Sequence, residues 1–263
     1  MSTTNGNRKG WRRPASVPYP SIWRRFERPD KTEPGRIRKF RVQDASDKNL
    51  QDAIVKHMSE IFLEDEPTCH SLNLVNDAVS LAEAQEIWHH LFSFGCALVC
   101  LEENQDGTLV MTPGTNTPYI VGCNLTYVCS KGEKNPKVKG EALSIICEAM
   151  DYVASFTDCY AHYGVDEYLY AFGLSVDPRY RGMGIGMEIL KARNDLGLKV
   201  GLKATVTTFT AIASQKLAER CGYEVLVEKT YEEIEKHNPR FKFPGIQTKS
   251  MKIMGRKLDV HLP

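Results

Sequence analysis

The chain has 263 residues, of which 42% are hydrophobic and 25% charged, and its formal net charge is +1 at pH 7. This composition is typical of a globular domain with a sizeable core, and a charge near zero excludes a general attraction to nucleic acid. No apolar run is long enough to cross a bilayer, and the polar N-terminus lacks the apolar segment of a secretory signal. We therefore expect a cytoplasmic protein with neither a nucleic-acid nor a membrane partner.

Residues 1–35 differ in composition from the rest of the chain. They are rich in arginine, contain five prolines and show no sustained apolar periodicity. We predict a basic, proline-containing extension over 1–35, followed by one domain over 36–263. Aromatic residues such as Trp11 and Trp23 indicate that part of the extension packs on this domain. A targeting or nucleic-acid role for its arginines is a minor alternative.

The first half of the domain shows alternating strand and helix patterns. Ser46 is a plausible N-cap for the first helix, which should stop at 64–67 because proline disfavours helix in the residue before it. Ser80 and Glu83 form a capping-box pattern for a second helix, which ends at Gly95. The predicted elements are a strand over 37–43, helices from 50 to about 64 and over 80–94, strands over 96–102 and 119–129, and a helix over 140–156.

The second half contains a buried strand over 168–176, followed by three closely spaced glycines. After the glycines we predict a helix over 187–200, a strand over 204–208, a helix over 211–220, and strands over 223–230 and 250–256. This order predicts one mixed α/β domain. Its first strands are mostly antiparallel, and its second half contains a strand, glycine loop, helix and strand in sequence.

Gly182, Gly184 and Gly186 lie between the buried strand and a helix, the arrangement of an anion-binding loop. Glycine allows close backbone approach, and free amides at a helix N-terminus point at a phosphate. Arg181 adds a positive charge. A dinucleotide site would need a different glycine spacing and an acidic residue about twenty positions on, and a P-loop would need Gly-Lys-Ser/Thr. Neither is present, although a glycine turn without a ligand is an alternative.

The run from Leu174 to Gly186 resembles the Arg/Gln-x-x-Gly-x-Gly/Ala signature of the GNAT family of N-acetyltransferases, and the helix before Gly222-Tyr223 resembles the family's second motif. The resemblance implies a single GNAT-type α/β (α+β) domain with a mixed central sheet of about six to seven strands flanked by helices. It also implies acetyl-CoA, or another acyl-CoA, as co-substrate and no metal.

The resemblance assigns cofactor-binding roles to two segments. The strand edge would pair with the pantetheine arm, and the amide of Val176 would face the thioester oxygen. The glycine loop and the start of its helix would hold the pyrophosphate. The cofactor-binding residues expected on this basis are Leu174, Ser175, Val176, Arg181, Gly182, Met183, Gly184, Ile185, Gly186 and Met187.

The acceptor side of the site is expected around Glu64-Asp65-Glu66-Pro67. Clustered carboxylates raise one another's pKa, which would move one of them toward the working pH of a general base. A solvated helix end is the alternative reading. The segment resembles the Asp-Glu-Pro segment of insect arylalkylamine N-acetyltransferases, which implies that Glu66 is the general base.

The same resemblance identifies further candidates in the later helix. Two serines that assist catalysis in that group correspond to Thr210 and Ser214 here. The tyrosine acid of other relatives corresponds to Ala218, so that acid is missing. Eight cysteines without a Cys-x-x-Cys pair read as buried, reduced thiols, which excludes a recognisable zinc site and argues against a cysteine acyl-enzyme.

The resemblance thus implies an amine N-acetyltransferase that acts by direct attack in a ternary complex, on an arylalkylamine of the dopamine, serotonin or tyramine type. An aliphatic amine such as a polyamine or agmatine is an alternative, because the acidic cluster would suit a second cation. A protein acetyltransferase and a coenzyme A-binding regulator without catalysis are further alternatives. We expect a monomer.

Overall fold

The computed structural model describes residues 10–133 and 137–259. Within these residues the chain forms one eight-stranded sheet. Its strands are β1 Ile22–Pro29, β2 Ile37–Asp44, β3 Leu98–Glu103, β4 Ile120–Ser130, β5 Glu167–Val176, β6 Ala204–Phe209, β7 Glu224–Thr230 and β8 Ser250–Lys257.

The spatial order of the strands is β1-β2-β3-β4-β5-β6-β8-β7. All neighbours are antiparallel except β5 and β6, which are parallel and share a single registered pair, Leu169 with Thr205. The sheet is therefore mixed, as predicted, and the parallel strands separate soon after they meet. It has eight strands rather than six or seven because β1 adds one at the edge.

Helices cover both faces of the sheet. They are α1 Lys48–His57, α2 Leu63–Asp65, α3 Pro67–Ser71, α4 Ala78–Leu91, α5 Glu141–Ala154, α6 Cys159–Tyr163, α7 Ile185–Lys199, α8 Ile212–Arg220 and α9 Tyr231–His237. A π-helical turn over Met58–Phe62 joins α1 to α2. One core lies between the sheet and α1 to α5, and a second lies under α7. None of the described helices is both long enough and apolar enough to cross a membrane.

Strand β1 was not predicted, because its arginines hide the alternation that marks a strand. It pairs antiparallel with β2 from Ile22, opposite Gln43, to Pro29, opposite Ile37. Residues 22–29 are thus part of the sheet, while the division of the chain at residue 35 stays a prediction. Arg8 and Lys9, two basic residues of the predicted extension, lie outside the described residues.

A buried carboxylate anchors the segment that precedes β1. Asp44 Oδ2 accepts hydrogen bonds from Arg13 Nη2 at 2.8 Å and from the Ser21 amide at 2.7 Å, and Oδ1 accepts from Trp23 Nε1 at 2.7 Å. Burial raises the pKa of Asp44, an effect that the three donors oppose. The packing predicted for the aromatic residues of this segment is seen at Trp11 and Trp23, which contact the core under α7.

Two predicted helix caps were wrong. The N-cap of the first helix is Asp47 instead of Ser46, and its side chain accepts from the Leu50 amide. The N-cap of α4 is Asp77 instead of Ser80, and Glu83 does not complete a capping box. Its carboxylate instead accepts from the amide of Gly140 at 2.8 Å, just before α5. Glu83 was expected to cap its own helix, α4, but it instead binds the N-terminus of the neighbouring helix α5.

Candidate active site

A cavity of about 170 Å³ opens where β5 and β6 separate. Its walls come from β5, β6 and α7 on one side and from the helices between β2 and β4 on the other. The lining is mostly apolar and includes Phe62, Leu63, Trp88, Leu143, Ile146, Met150, Phe172 and Phe209. Concave apolar surfaces with a few polar groups are the usual form of a small-molecule site.

The separation of the strands has a local cause in β5. The register between β4 and β5 shifts between Asn124 and Thr126, and Gly173 has a φ of +111°. This φ favours glycine, and a Cβ at Gly173 would lie 2.4 Å from Met58 Cε, so a larger residue would also require the methionine side chain to move. Beyond it, residues 174–176 keep their pairing with β4 but have no registered partner on β6.

Arg193 fills the point at which the strands part. Its Nη2 donates to the carbonyl oxygens of Leu169 on β5 and Val206 on β6, at 3.0 and 2.8 Å. The side chain is only 1% exposed, lines the cavity and has no ion pair with any described carboxylate. Among the described residues its Nε has no hydrogen-bond partner, and burial lowers the pKa of the guanidinium. No sequence motif above pointed to this residue.

The free edge of β5 offers backbone amides to the cavity. The amide of Asp177 donates to the carbonyl of Val121 on β4, at 3.0 Å. Because successive residues of a strand point to opposite edges, the amides of Val176 and Leu174 face away from β4. These are the groups that a pantetheine arm pairing with β5 would meet, so this edge fits the predicted cofactor.

The glycine loop leads from β5 into α7. Gly182 and Gly184 have φ values of +77° and +75°, which favour glycine, and the amides of both lack an acceptor among the described residues. The amides of Met183 and Met187 already donate to Tyr180 and Gly184. The predicted pyrophosphate cradle therefore has free donors at some of its positions and occupied ones at others.

Gly186 and Ile185 complete the loop at the first turn of α7. A Cβ at Gly186 would lie 3.1 Å from Leu217 Cδ2, so this position allows α7 and α8 to pack closely. Ile185, the first residue of α7, is buried in the core between this helix and the sheet. First-turn amides have no partner within their own helix, which leaves them available to an anion.

Arg181 lies across the mouth of the cavity. Its Nε donates to the carbonyl of Val176 at 3.0 Å, and its Nη1 pairs with Asp65 at 2.9 Å. The guanidinium thus joins the end of β5 to the acceptor-side segment. Its predicted position beside the phosphates stays a prediction.

Glu66 is held at the cavity wall by three donors. Thr210 Oγ1 donates to Oε1 at 2.5 Å, while Thr68 Oγ1 and the Cys69 amide donate to Oε2 at 2.5 and 2.7 Å. Pro67 is the first residue of α3, and Glu66 is its N-cap. Thr210 and Glu66 are 144 positions apart in sequence, and the structure brings these two candidates into direct contact.

The three carboxylates of the acidic cluster have different surroundings. Asp65 pairs with Arg181, Glu66 accepts from Thr210, and Glu64 is exposed and does not line the cavity. Asp65 and Glu66 both line the cavity, but Asp65 is paired with a cation, whereas Glu66 accepts from hydroxyl and amide donors. The argument that mutual repulsion raises the pKa of a base stays a prediction.

Ser214, in the first turn of α8, lines the same cavity as Thr210, which precedes that helix. Its hydroxyl donates to the carbonyl of Ala211 at 2.8 Å and makes no hydrogen bond with Glu66. Ala218, which stands where other relatives carry a tyrosine, is fully buried against the core beneath α8. The catalytic roles of Glu66, Thr210 and Ser214 stay predictions.

His57 is a further polar residue close to the cavity, and the sequence analysis above assigns it no role. It is 6% exposed, and its Nε2 lies 2.9 Å from Ser175 Oγ on the cofactor strand. Burial lowers the pKa of His57 to about 4, so the ring is neutral at physiological pH. Because Ser175 lines the cavity, His57 supports the cavity wall from behind.

Comparison with known proteins identifies the family. A model of the GNAT acetyltransferase family matches residues 128–223. The solved structure described as insect "putative arylalkylamine N-Acetyltransferase 7", from the yellow fever mosquito Aedes aegypti, is 34% identical, covers 95% of this chain and 100% of its own, and superposes with a TM-score of 0.84. The chain belongs to the GNAT acetyltransferase family. The resemblance to insect arylalkylamine N-acetyltransferases is confirmed.

More distant solved structures share the fold of this GNAT chain. Arylalkylamine N-acetyltransferase 2 from Aedes aegypti is 18% identical over 84% of this chain and 99% of its own, with a TM-score of 0.69. The Drosophila melanogaster polyamine N-acetyltransferase is 16% identical over 83% of this chain and 100% of its own, with a TM-score of 0.64. The comparison with curated proteins gave no match.

Family membership settles the class of reaction. The protein is an amine N-acetyltransferase that uses acetyl-CoA, as the glycine loop and the second motif predicted. Among the described residues, no group of three or more metal-binding side chains is placed to hold a metal ion.

Proposed function

We propose that this GNAT enzyme acetylates the primary amine of a small arylalkylamine, such as one of the dopamine, serotonin or tyramine type. The observation that carries the proposal is the position of Glu66, a carboxylate on the wall of an otherwise mainly apolar cavity that also contains the free edge of β5. The relative at 34% identity is described as an insect "putative arylalkylamine N-Acetyltransferase 7", a description that agrees with this acceptor class.

In the proposed reaction the amine nitrogen attacks the thioester carbonyl carbon in a ternary complex. The C–N bond forms, the C–S bond breaks, and the amine proton passes to Glu66 directly or through a water molecule. The amide of Val176 stabilises the oxyanion. The sulfur leaves as a thiolate, which Ser214 or water then protonates, while Thr210 holds the Glu66 carboxylate in place.

An aromatic acceptor suits the cavity better than an aliphatic diamine. Phe62 and Trp88 form an edge-to-face pair with centroids 6.4 Å apart, and both line the cavity. A diamine would need a second anionic partner, but the other lining carboxylate, Asp65, is already paired with Arg181. A polyamine or agmatine acceptor is therefore the second candidate.

The proposal also covers the oligomeric state and the cellular location of the enzyme. Glu66, Thr210 and Ser214 line one cavity whose walls this chain supplies, so we propose that a monomer suffices. Eight free thiols suit a reducing compartment, so we also propose a cytoplasmic location. A protein acceptor would have to insert a single side chain among the apolar residues of this cavity.

The proposal is tested by measuring thiol release from acetyl-CoA with a matched amine panel. Tyramine, dopamine and serotonin are compared with agmatine, putrescine and spermidine, and with lysine-containing peptides. We expect the highest kcat/KM with the arylalkylamines. Higher values with the aliphatic amines would establish the second candidate, and activity confined to peptides would contradict both small-molecule acceptors.

A further inference from the structure

Strand β1 and the turn after it lie against the outer side of the glycine loop. Arg28 Nε donates to the carbonyl of Met183 at 2.9 Å, and Lys31 Nζ donates to the carbonyl of Arg181. Two cations from the N-terminal segment thus bind two carbonyl groups, those of residues 181 and 183, in the loop that is predicted to hold pyrophosphate.

These contacts fix the direction of two amides. In a trans peptide the C=O and N–H groups point to opposite sides of the chain. The Arg181 carbonyl belongs to the same peptide as the Gly182 amide, and the Met183 carbonyl to the same peptide as the Gly184 amide. When β1 holds the two carbonyls, both amides point away from β1, and neither has an acceptor among the described residues.

The two cations lie close to the two glycines. A Cβ on Gly182 would lie 3.2 Å from Lys31 Nζ, and a Cβ on Gly184 would lie 3.5 Å from Arg28 Nε, which is an ordinary contact. Both glycines have the positive φ that a side chain disfavours. The backbone conformation, more than the space beside the cations, therefore favours glycine at these positions.

The two cations are themselves held in place. Arg28 Nη2 pairs at 2.9 Å with Glu188, in the first turn of α7, and Arg24 pairs with the same carboxylate at 2.9 Å. The turn that carries Lys31 is shaped by Asp30, whose Oδ1 accepts from the amide and hydroxyl of Thr32 at 2.8 Å. These hydrogen bonds lower the pKa of Asp30 to about 2.

We propose that Arg28 and Lys31 are positioning residues that hold the Gly182 and Gly184 amides toward the pyrophosphate of coenzyme A. The N-terminal segment thereby becomes part of the cofactor site by acting on the carbonyl side of the loop. The inference rests on the predicted pyrophosphate role of the loop and is independent of which amine is the acceptor.

The test measures cofactor binding in Arg28→Ala and Lys31→Ala, with Arg25→Ala as the matched control. Arg25 lies on the same strand, its side chain is 60% exposed, and its Nε pairs with Glu103 Oε1 at 3.4 Å. Titration calorimetry gives Kd for coenzyme A and for dephospho-coenzyme A, which keeps the pyrophosphate and lacks the 3′-phosphate. Steady-state kinetics with S-acetylpantetheine, which lacks both, reports on the rest of the site.

We expect Arg28→Ala to raise Kd about tenfold or more for coenzyme A and for dephospho-coenzyme A, as the loss of a charge-assisted hydrogen bond implies. Lys31→Ala should act in the same direction. Saturating kcat with acetyl-CoA and kcat/KM with S-acetylpantetheine should stay within about twofold of wild type, and Arg25→Ala should match wild type throughout. If Arg28→Ala does not fold, Arg28→Lys should show the same pattern at smaller size.

Three results would overturn the inference. Unchanged Kd values in both variants would show that the loop needs no support from β1. An equal loss with S-acetylpantetheine would indicate general structural damage, and a loss confined to coenzyme A would indicate direct contact with the 3′-phosphate. Failure of wild type to bind coenzyme A would count against the cofactor site itself, and so is distinguishable from a failure of Arg28 or Lys31 alone.

Discussion

Glu66 combines a structural contact with its proposed chemical role. As N-cap of α3 it accepts the Cys69 amide, while its other oxygen meets Thr210 from the far end of the chain. The sequence predicted that a helix stops at this segment, but it did not predict that Pro67 begins a new one. For that reason Thr68, only two residues from Glu66, was missed as a partner.

Glu66→Gln should separate binding from catalysis. The side-chain amide of glutamine can still accept a hydrogen bond from Thr210 but cannot act as a base. We therefore expect kcat to fall by about 10²- to 10⁴-fold, the range for loss of a general base. The affinity for acetyl-CoA should not change, and Glu64→Gln, which alters an exposed neighbour outside the cavity, is the control. Steady-state kinetics at saturating amine measure the effect, and a wild-type kcat would remove Glu66 from the mechanism.

Replacing a cap residue also has a structural cost, which must be measured separately. Loss of a side-chain cap typically destabilises a protein by about 1 kcal/mol. Thermal unfolding of Glu66→Gln should therefore show only a modest decrease in Tm. A large decrease would mean that lost activity reflects unfolding of α3 rather than lost chemistry.

Among the elements, the separation of β5 and β6 makes the site. The sequence predicted both strands, but their parting depends on Gly173 and on a buried guanidinium in α7. Arg193 lies four residues after Ile189 and three before Leu196, and this spacing puts all three on one helical face. A charged residue on an otherwise apolar helical face was therefore the sequence pattern that could have pointed to Arg193.

Arg193→Met should preserve stability and reduce activity. The wild-type guanidinium is buried without a carboxylate, and replacing such a charge with an apolar side chain is often neutral or stabilising. The carbonyls of Leu169 and Val206, which Arg193 binds, also accept from the hydroxyls of Thr205 and Thr207, so each keeps a hydrogen bond in the variant. Tm should be no lower than that of wild type.

The activity of the same variant should fall, since the lost positive charge lines the cavity in which negative charge develops on oxygen and sulfur. We expect kcat/KM for acetyl-CoA to decrease about tenfold, equivalent to about 1.4 kcal/mol. Lys191→Met, which changes a partly exposed cation of the same helix, is the matched control. Unchanged kinetics in Arg193→Met would assign Arg193 a purely structural role.

For the whole molecule, the element order and the cofactor loop could be predicted because both are written in local patterns. The edge strand β1 could not, because its arginines obscure the alternation, and neither could contacts such as Arg28 with Met183, which join residues 155 positions apart. Long-range hydrogen bonds of this kind depend on how faces pack. A single sequence does not specify that packing to the precision of a hydrogen bond.

Buried His57 should make the stability of the protein depend on pH. Its pKa is lowered from 6.5 to about 4, so the unfolded chain binds more protons between these values and stability falls as the pH decreases. The contribution of neutral, buried His57 to the free energy of unfolding is fully present above about pH 6.5. At pH 5 this free energy should be lower by about 2 kcal/mol.

Urea unfolding at pH 7.5 and pH 5 measures this dependence. His57→Gln keeps a group that can hydrogen-bond Ser175 but has no titrating ring, so it should lose about 2 kcal/mol less than wild type between the two pH values. His89→Gln, which changes a half-exposed histidine in α4, is the control. An identical pH dependence in His57→Gln and wild type would contradict the assignment.

The two ends of the sheet have a consequence for association. An outer strand with unpaired backbone groups is a template for edge-to-edge aggregation, which charged side chains and proline discourage. Strand β1 exposes Arg25, Glu27 and Pro29, and β7 at the opposite end exposes Glu224 and Glu228. Another chain that extended the sheet would have to desolvate these charges, so both edges are protected against the growth of intermolecular sheets.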